Sequence, residues 1–167
     1  MAEEKAHYYR DGDESKGGGE AKGGGEAKGA APPLHPTVTV EDIVIAPEEG
    51  PLTGPIEVEI DYALDGPLND AQWMFQYLVD SARARHIIDL GSRPAQRHAL
   101  PEGPSSVLFS VDAVDVSGIA PGRLTECGLF TARLESGGEA VMEINMVVFV
   151  REEGGGFVRQ IISPLEH

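Results

Sequence analysis

Five histidines, one cysteine and a few adjacent carboxylate pairs are the side chains here that could carry chemistry, and their spacing argues against it. A catalytic centre needs a nucleophile with a base and an orienting group, or a metal cluster. His7, His35, His86, His98 and His167 are scattered, and none stands at metal-ligand spacing from Cys127 or from a carboxylate pair. Cys127 is expected in the middle of a strand as a buried small hydrophobe. A reactive thiol would need a lowered pKa, and Glu126 beside it pushes the other way. Glu41-Asp42, Glu48-Glu49 and Glu152-Glu153 lack the ligand spacing of a calcium loop and read as solvated turns. The glycine clusters sit in no strand–loop–helix context with a following lysine, so they do not cradle phosphate. The sequence predicts no enzyme, no metal site and no cofactor.

Charge narrows the partners instead. The 167 residues carry a net charge of −15, unevenly spread. Residues 1–36 hold seven acids and five bases. Residues 37–167 hold 21 acids against eight arginines and no lysine, a net of −13. Such a surface repels nucleic acid phosphates and anionic headgroups, because attraction to both depends on cations. Basic protein partners are favoured. A single cysteine permits no intrachain disulfide, which suits a reducing compartment. The sequence has no run of ~18 apolar residues able to span a bilayer. Met1-Ala2-Glu3-Glu4 lacks the basic and apolar regions of a signal peptide. The expectation is an intracellular, soluble protein.

Two regions follow from composition. Residues 1–36 read as a low-complexity tail: Gly17–Lys28 is Gly-Gly-Gly-Glu-Ala-Lys written twice, followed by Ala30-Ala31-Pro32-Pro33. This stretch has too little apolar surface to offset ~1–2 kcal/mol of backbone entropy per residue. Tyr8, Tyr9 and Arg10 are its aromatic and cationic exception, and a candidate anchor on a partner.

From Thr37 to the end at residue 167 the period is two. Ile56, Val58, Ile60, Tyr62 and Leu64 alternate with Glu57, Glu59, Asp61 and Ala63, a half-buried strand with carboxylates in water. Ala71, Trp73, Phe75, Tyr77 and Val79 alternate with the partly apolar Gln72, Met74, Gln76 and Leu78, which predicts cover on both faces. A first strand spans Val38–Ile45 with a bulge at Glu41-Asp42. Further strands are predicted over Arg85–Leu90, Ser106–Asp112, Leu124–Leu134, Ala140–Arg151 and Phe157–Ser163. Turns are marked by Asp65-Gly66-Pro67, Ser136-Gly137-Gly138 and Glu153–Gly156, and only Asp115–Gly122 looks able to hold a helical turn. This pattern predicts an all-β, immunoglobulin-like two-sheet sandwich. Its outer strands leave unpaired backbone edges to which an extended segment can add. The hairpin Leu124–Arg151 carries apolar residues on both faces, among them Ile144, Met146, Val147, Val148 and Phe149, so something must cover its second face.

The order of these features resembles a known family. Val38–Ile45, the loop Pro51-Leu52-Thr53-Gly54-Pro55, Ile56–Tyr62 and then Leu68-Asn69-Asp70-Ala71-Gln72-Trp73 leading to Tyr77 and Ser81-Ala82 are similar to the core of the anti-silencing factor (Asf1-like) histone chaperones. The resemblance covers residues 37–163 and is most specific around Trp73. It implies an immunoglobulin-like sandwich that binds histone H3–H4 along the hairpin side and basic peptides of partner chaperones on another face. The family's two acids before its tryptophan fall on Asn69 and Asp70, so one acid is kept. On the hairpin side a small aliphatic falls on Cys127, near Leu129, and a functional arginine falls on Asn145, whose amide cannot make the arginine's charge-assisted bonds.

Two uses of such a domain follow. The altered hairpin face, the short Gly154-Gly155-Gly156 connection and the tail favour a non-enzymatic scaffold subunit of a large assembly, with the central apparatus of the ciliary axoneme as the specific expectation. The alternative is a nuclear H3–H4 chaperone, favoured by the acidic domain.

Overall fold

The computed structural model describes residues 34–80 and 85–165, so the candidates Tyr8, Tyr9 and Arg10 lie outside the described residues. Within them the period-two pattern becomes nine strands and one short helix. In chain order these are β1 (Val38–Ala46), β2 (Glu49–Pro51), β3 (Ile56–Leu64), β4 (Leu68–Asp80), β5 (Arg85–Leu100), β6 (Gly103–Val111), α1 (Pro121–Leu124), β7 (Gly128–Ser136), β8 (Glu139–Glu153) and β9 (Gly156–Ile162). They form two antiparallel sheets, one of three strands ordered β1-β3-β6 and one of six ordered β2-β9-β8-β7-β4-β5. The fold is an all-β sandwich.

Alternation decides what lies between the sheets. Ile56, Val58, Ile60, Tyr62 and Leu64 of β3 are buried, as are Ala71, Trp73, Phe75, Tyr77 and Val79 of β4. Aromatic side chains tie the layers together. Tyr62 of β3 meets Trp73 of β4 edge-on at 5.2 Å between ring centroids. Phe109 of β6 stacks on Phe75 of β4 at 4.1 Å. Each such pair adds about 0.5–1.5 kcal/mol beyond the apolar area it removes from water.

The turns obey their glycines. Gly137 (φ 58°) and Gly138 (φ 87°) close the β7–β8 hairpin, and Gly154 (φ 62°) and Gly155 (φ 81°) close β8–β9, in a region that side chains disfavour. The β1–β3 register slips between Val40 and Asp42, where a bulge is expected.

Several boundaries differ from the sequence-based expectation. Strand β5 runs on to Leu100 instead of ending at Leu90. Its far half stays beside β4 across a register shift, where the buried Gln72 amide donates to Ser92 Oγ (3.0 Å) and to the carbonyls of Pro94 (2.9 Å) and Ala95 (3.2 Å). The helical turn falls at Pro121–Leu124, after most of the expected Asp115–Gly122 stretch. Proline is its first residue, where a missing N–H is harmless, and Leu124 anchors it in the core. The seventh strand therefore starts at Gly128, and Cys127 is an exposed residue just ahead of it, not a buried one in mid-strand.

Among the described residues Arg159 is the one buried charged side chain, 1% exposed on the inner side of β9. Its guanidinium donates to the carbonyls of Pro51, Leu52 (3.2 Å), Gly54 (3.4 Å) and Pro55 (2.6 Å), fastening the β2–β3 loop across the end of the sandwich. Burial pushes its pKa down. The Tyr77 phenol shares this end and is pushed up to about 12, first by burial.

Candidate interaction surface

The outer face of the six-stranded sheet carries the candidate site. Leu78 sits between buried Tyr77 and Val79, Leu129 between buried Gly128 and Phe130, and Val147 between buried Met146 and Val148, so all three point away from the core. The ladders set them side by side. Leu78 is opposite both Ile87 and Leu129, Leu129 is opposite Val147, and Val147 is opposite Ile162. The result is an aliphatic row, Ile87–Leu78–Leu129–Val147–Ile162, crossing five strands over roughly 19 Å at the usual spacing between strands. Ile87 is 58% exposed, and Phe149, two residues beyond Val147 on the same face, is 55% exposed. A sheet face turned to water is ordinarily polar.

Polar rows flank this band. Gln76, Thr131 and Asn145 are in register next to it. Thr131 Oγ1 donates to Asn145 Oδ1 at 3.1 Å, and Asn145 Nδ2 donates to Glu143 Oε1 at 3.3 Å. One row further, Arg133 lies between Glu135 (3.7 Å) and Glu143 (3.8 Å). Beyond Phe149 the band ends at Arg151, paired with Glu49 (3.1 Å) and Glu153 (3.0 Å). The hydrogen bond from Arg151 holds the Glu49 carboxyl below its ordinary range.

The candidate residues divide into two groups. Leu129 and Asn145 share this face, with exposed Cys127 just ahead of Leu129. Asn69 and Asp70 are exposed at the opposite end, where the Asn69 carbonyl accepts from Ser136 Oγ (2.6 Å) and Asp70 contacts Arg97 (3.7 Å). Ser136 lies seven steps along β7 from Leu129, roughly 23 Å of strand, so one small ligand cannot touch both groups.

No protein-family model matches this chain, and no curated protein shows significant similarity to it. The reading therefore rests on the geometry. Leu78 already stands out in the sequence as an apolar residue on the outward phase of β4, whereas Ile87 and Ile162 are band residues that strand-by-strand reading does not single out. All three sit in the outward phase of their strands, and it is the register that lines them up.

The interior offers little room for a ligand. A cavity of about 10 Å³ between Tyr77, Arg159, Phe130 and Ile161 would admit a single water, far short of the roughly 300 Å³ of a small ligand pocket. Among the described residues no group of three or more His, Cys, Asp or Glu could hold a metal ion. No helix among them is long and apolar enough to cross a membrane.

Proposed function

We propose that this protein is a non-enzymatic interaction subunit that docks onto another protein through the outer face of its six-stranded sheet. The observation that carries this reading is the aliphatic row from Ile87 to Ile162 with Phe149 beside it. Burying such a band against a partner releases about 25 cal/mol for each Å² of apolar surface removed from water. The flanking Gln76, Thr131 and Asn145 supply directional bonds, and the acidic surface favours a basic partner. In this reading the sandwich is immunoglobulin-like, of the anti-silencing factor type, reused as a scaffold piece of a large assembly such as the ciliary axoneme.

The alternative of an H3–H4 chaperone shares the docking face but has Asn145 where the family pattern asks for a guanidinium. Two measurements separate these readings. Leu129→Asp with Val147→Asp should free the tagged protein from its native complex on size-exclusion chromatography while leaving its thermal melt intact. A double variant that still elutes in the complex refutes docking through this face. Stoichiometric capture of H3–H4 at ~0.3 M salt, where charge attraction is screened within about 6 Å, would replace the scaffold reading with the chaperone one.

A further inference from the structure

Among the described residues, four buried nitrogen or oxygen atoms have no hydrogen-bond partner on the protein: Trp73 Nε1, Tyr77 Oη, Glu126 Oε2 and Arg159 Nε. Tyr77 and Arg159, which own two of them, line one and the same cavity of about 10 Å³. Both side chains are buried, Tyr77 at 3% exposure and Arg159 at 1%. The rest of the wall is apolar and comes from both sheets and two connections. Leu52 follows β2, Ile56 opens β3, Val114 follows β6, and Phe130, Val148 and Ile161 belong to β7, β8 and β9.

Size and chemistry together choose the occupant. A space of roughly 10–15 Å³ takes one water molecule and excludes an organic ligand. Apolar walls alone would leave it dry, because a water there would forfeit its hydrogen bonds. Two donors change that balance. The terminal nitrogens of the Arg159 guanidinium are engaged by the carbonyls of Pro51, Leu52, Gly54 and Pro55, while its Nε–H has no acceptor. The Tyr77 phenol keeps its proton, since burial pushes its pKa up to about 12, and its O–H has no acceptor either. A buried donor left alone carries the full cost of its lost hydration, so an acceptor between the two is favoured. A halide would also accept from both, but it would have to shed its hydration against the apolar wall. Water sheds far less.

We propose that this cavity is a binding site for one resident water molecule, whose oxygen accepts the Nε–H of Arg159 and the O–H of Tyr77. The water joins β4 to β9, two strands that share no ladder because β7 and β8 lie between them. It thereby carries the Arg159 clasp from the carbonyls around Leu52 into the middle of the six-stranded sheet. The site lies inside the sandwich and does not depend on docking through the outer face.

The test is oxygen-17 magnetic relaxation dispersion on the full chain, which counts waters held inside a protein for longer than it tumbles and is blind to hydroxyl protons. Tyr77→Phe keeps the ring and removes one donor, and should lower the native count by one water. Val148→Ile and Val114→Ile each add a methylene at the cavity wall, and at least one of them should lower the count by the same amount. The variant that expels the water strands both donors, so its unfolding constant in urea should rise about tenfold. On the Tyr77→Phe background the same isoleucine should cost less than half as much, which simple overpacking would not produce. Leu129→Asp with Val147→Asp should leave the count as it is. An unchanged count in all three cavity variants overturns the proposal. So does an isoleucine that stabilises the native protein, since it would then be filling a dry void. A urea midpoint that climbs with chloride at fixed ionic strength also overturns it, because the occupant would then be an anion.

Discussion

Replacing Arg159 by methionine keeps the length of the side chain and removes every donor. The four carbonyls it now serves belong to the last residue of β2 and the loop leading to β3, and that of Leu52 is buried. An orphaned buried acceptor costs about 1–3 kcal/mol, and carbonyls that water can reach lose roughly 0.5–1 kcal/mol each. The offset is the desolvation of a guanidinium that has no carboxylate partner among the described residues, which methionine avoids. The balance is a loss of about 2–4 kcal/mol. For a domain of this size each kcal/mol moves Tm by about 3–4 °C, so the melt should fall by roughly 10 °C. Urea unfolding gives the free energy directly. Hydrogen exchange at the Leu52 amide, which donates to the Phe157 carbonyl at 2.9 Å, reports whether the loop loosens first. Arg159→Lys should recover less than half of the loss, because a single ammonium cannot span the same carbonyls. A methionine variant as stable as the native protein would refute the reasoning: water would then satisfy the loop, and burying the charge would have been a net burden.

Other outcomes follow from the same geometry. Tyr77 ionises at about 12 in the folded chain against 10 when free. The folded state holds that proton more tightly, so its contribution is complete below pH 10 and disappears as pH rises toward 12, a loss of about 2–3 kcal/mol. Tyr77→Phe should remove this part of the alkaline decline in melts taken between pH 10 and 12. Gly128→Ala should destabilise by about 1–3 kcal/mol in urea unfolding, since its Cβ would meet the Leu78 carbonyl at 2.8 Å and Tyr77 Cε2 at 3.0 Å. Cys127, being exposed, should react promptly with a thiol reagent in the folded protein. Cys127→Ser should change stability by less than about 0.5 kcal/mol.

The strands were legible because alternation is a local signal. Ile56–Leu64 reads correctly from its own residues, and so do the hairpin glycines at Gly137 and Gly138. What escaped depends on pairing. Strand β2 is only Glu49-Gly50-Pro51, too short for a period, and exists because β9 lies beside it. The far half of β5 contains Gly91 and Pro94, poor strand residues, and is held by Gln72 from another strand. Arg159 looks like a solvated charge until the carbonyls of a distant loop surround it. Cys127 falls ahead of β7, not within it, because Pro121 begins a helix turn that delays the strand. Of the candidate site, Leu129 and Asn145 were legible, and Val147 and Phe149 stood out as apolar residues in need of cover. The band as a whole was not, because it is a property of five registers at once.

Trp73, the single tryptophan, lies 2% exposed against Tyr62 and so bridges the two layers. Its fluorescence therefore reports on one thing, the seal between the sheets. Unfolding should redden the emission as the indole meets water. A partner settling on the outer face stays a sheet's thickness away and should leave the colour unchanged. The molecule thus carries an internal lamp that distinguishes a lost partner from a lost fold.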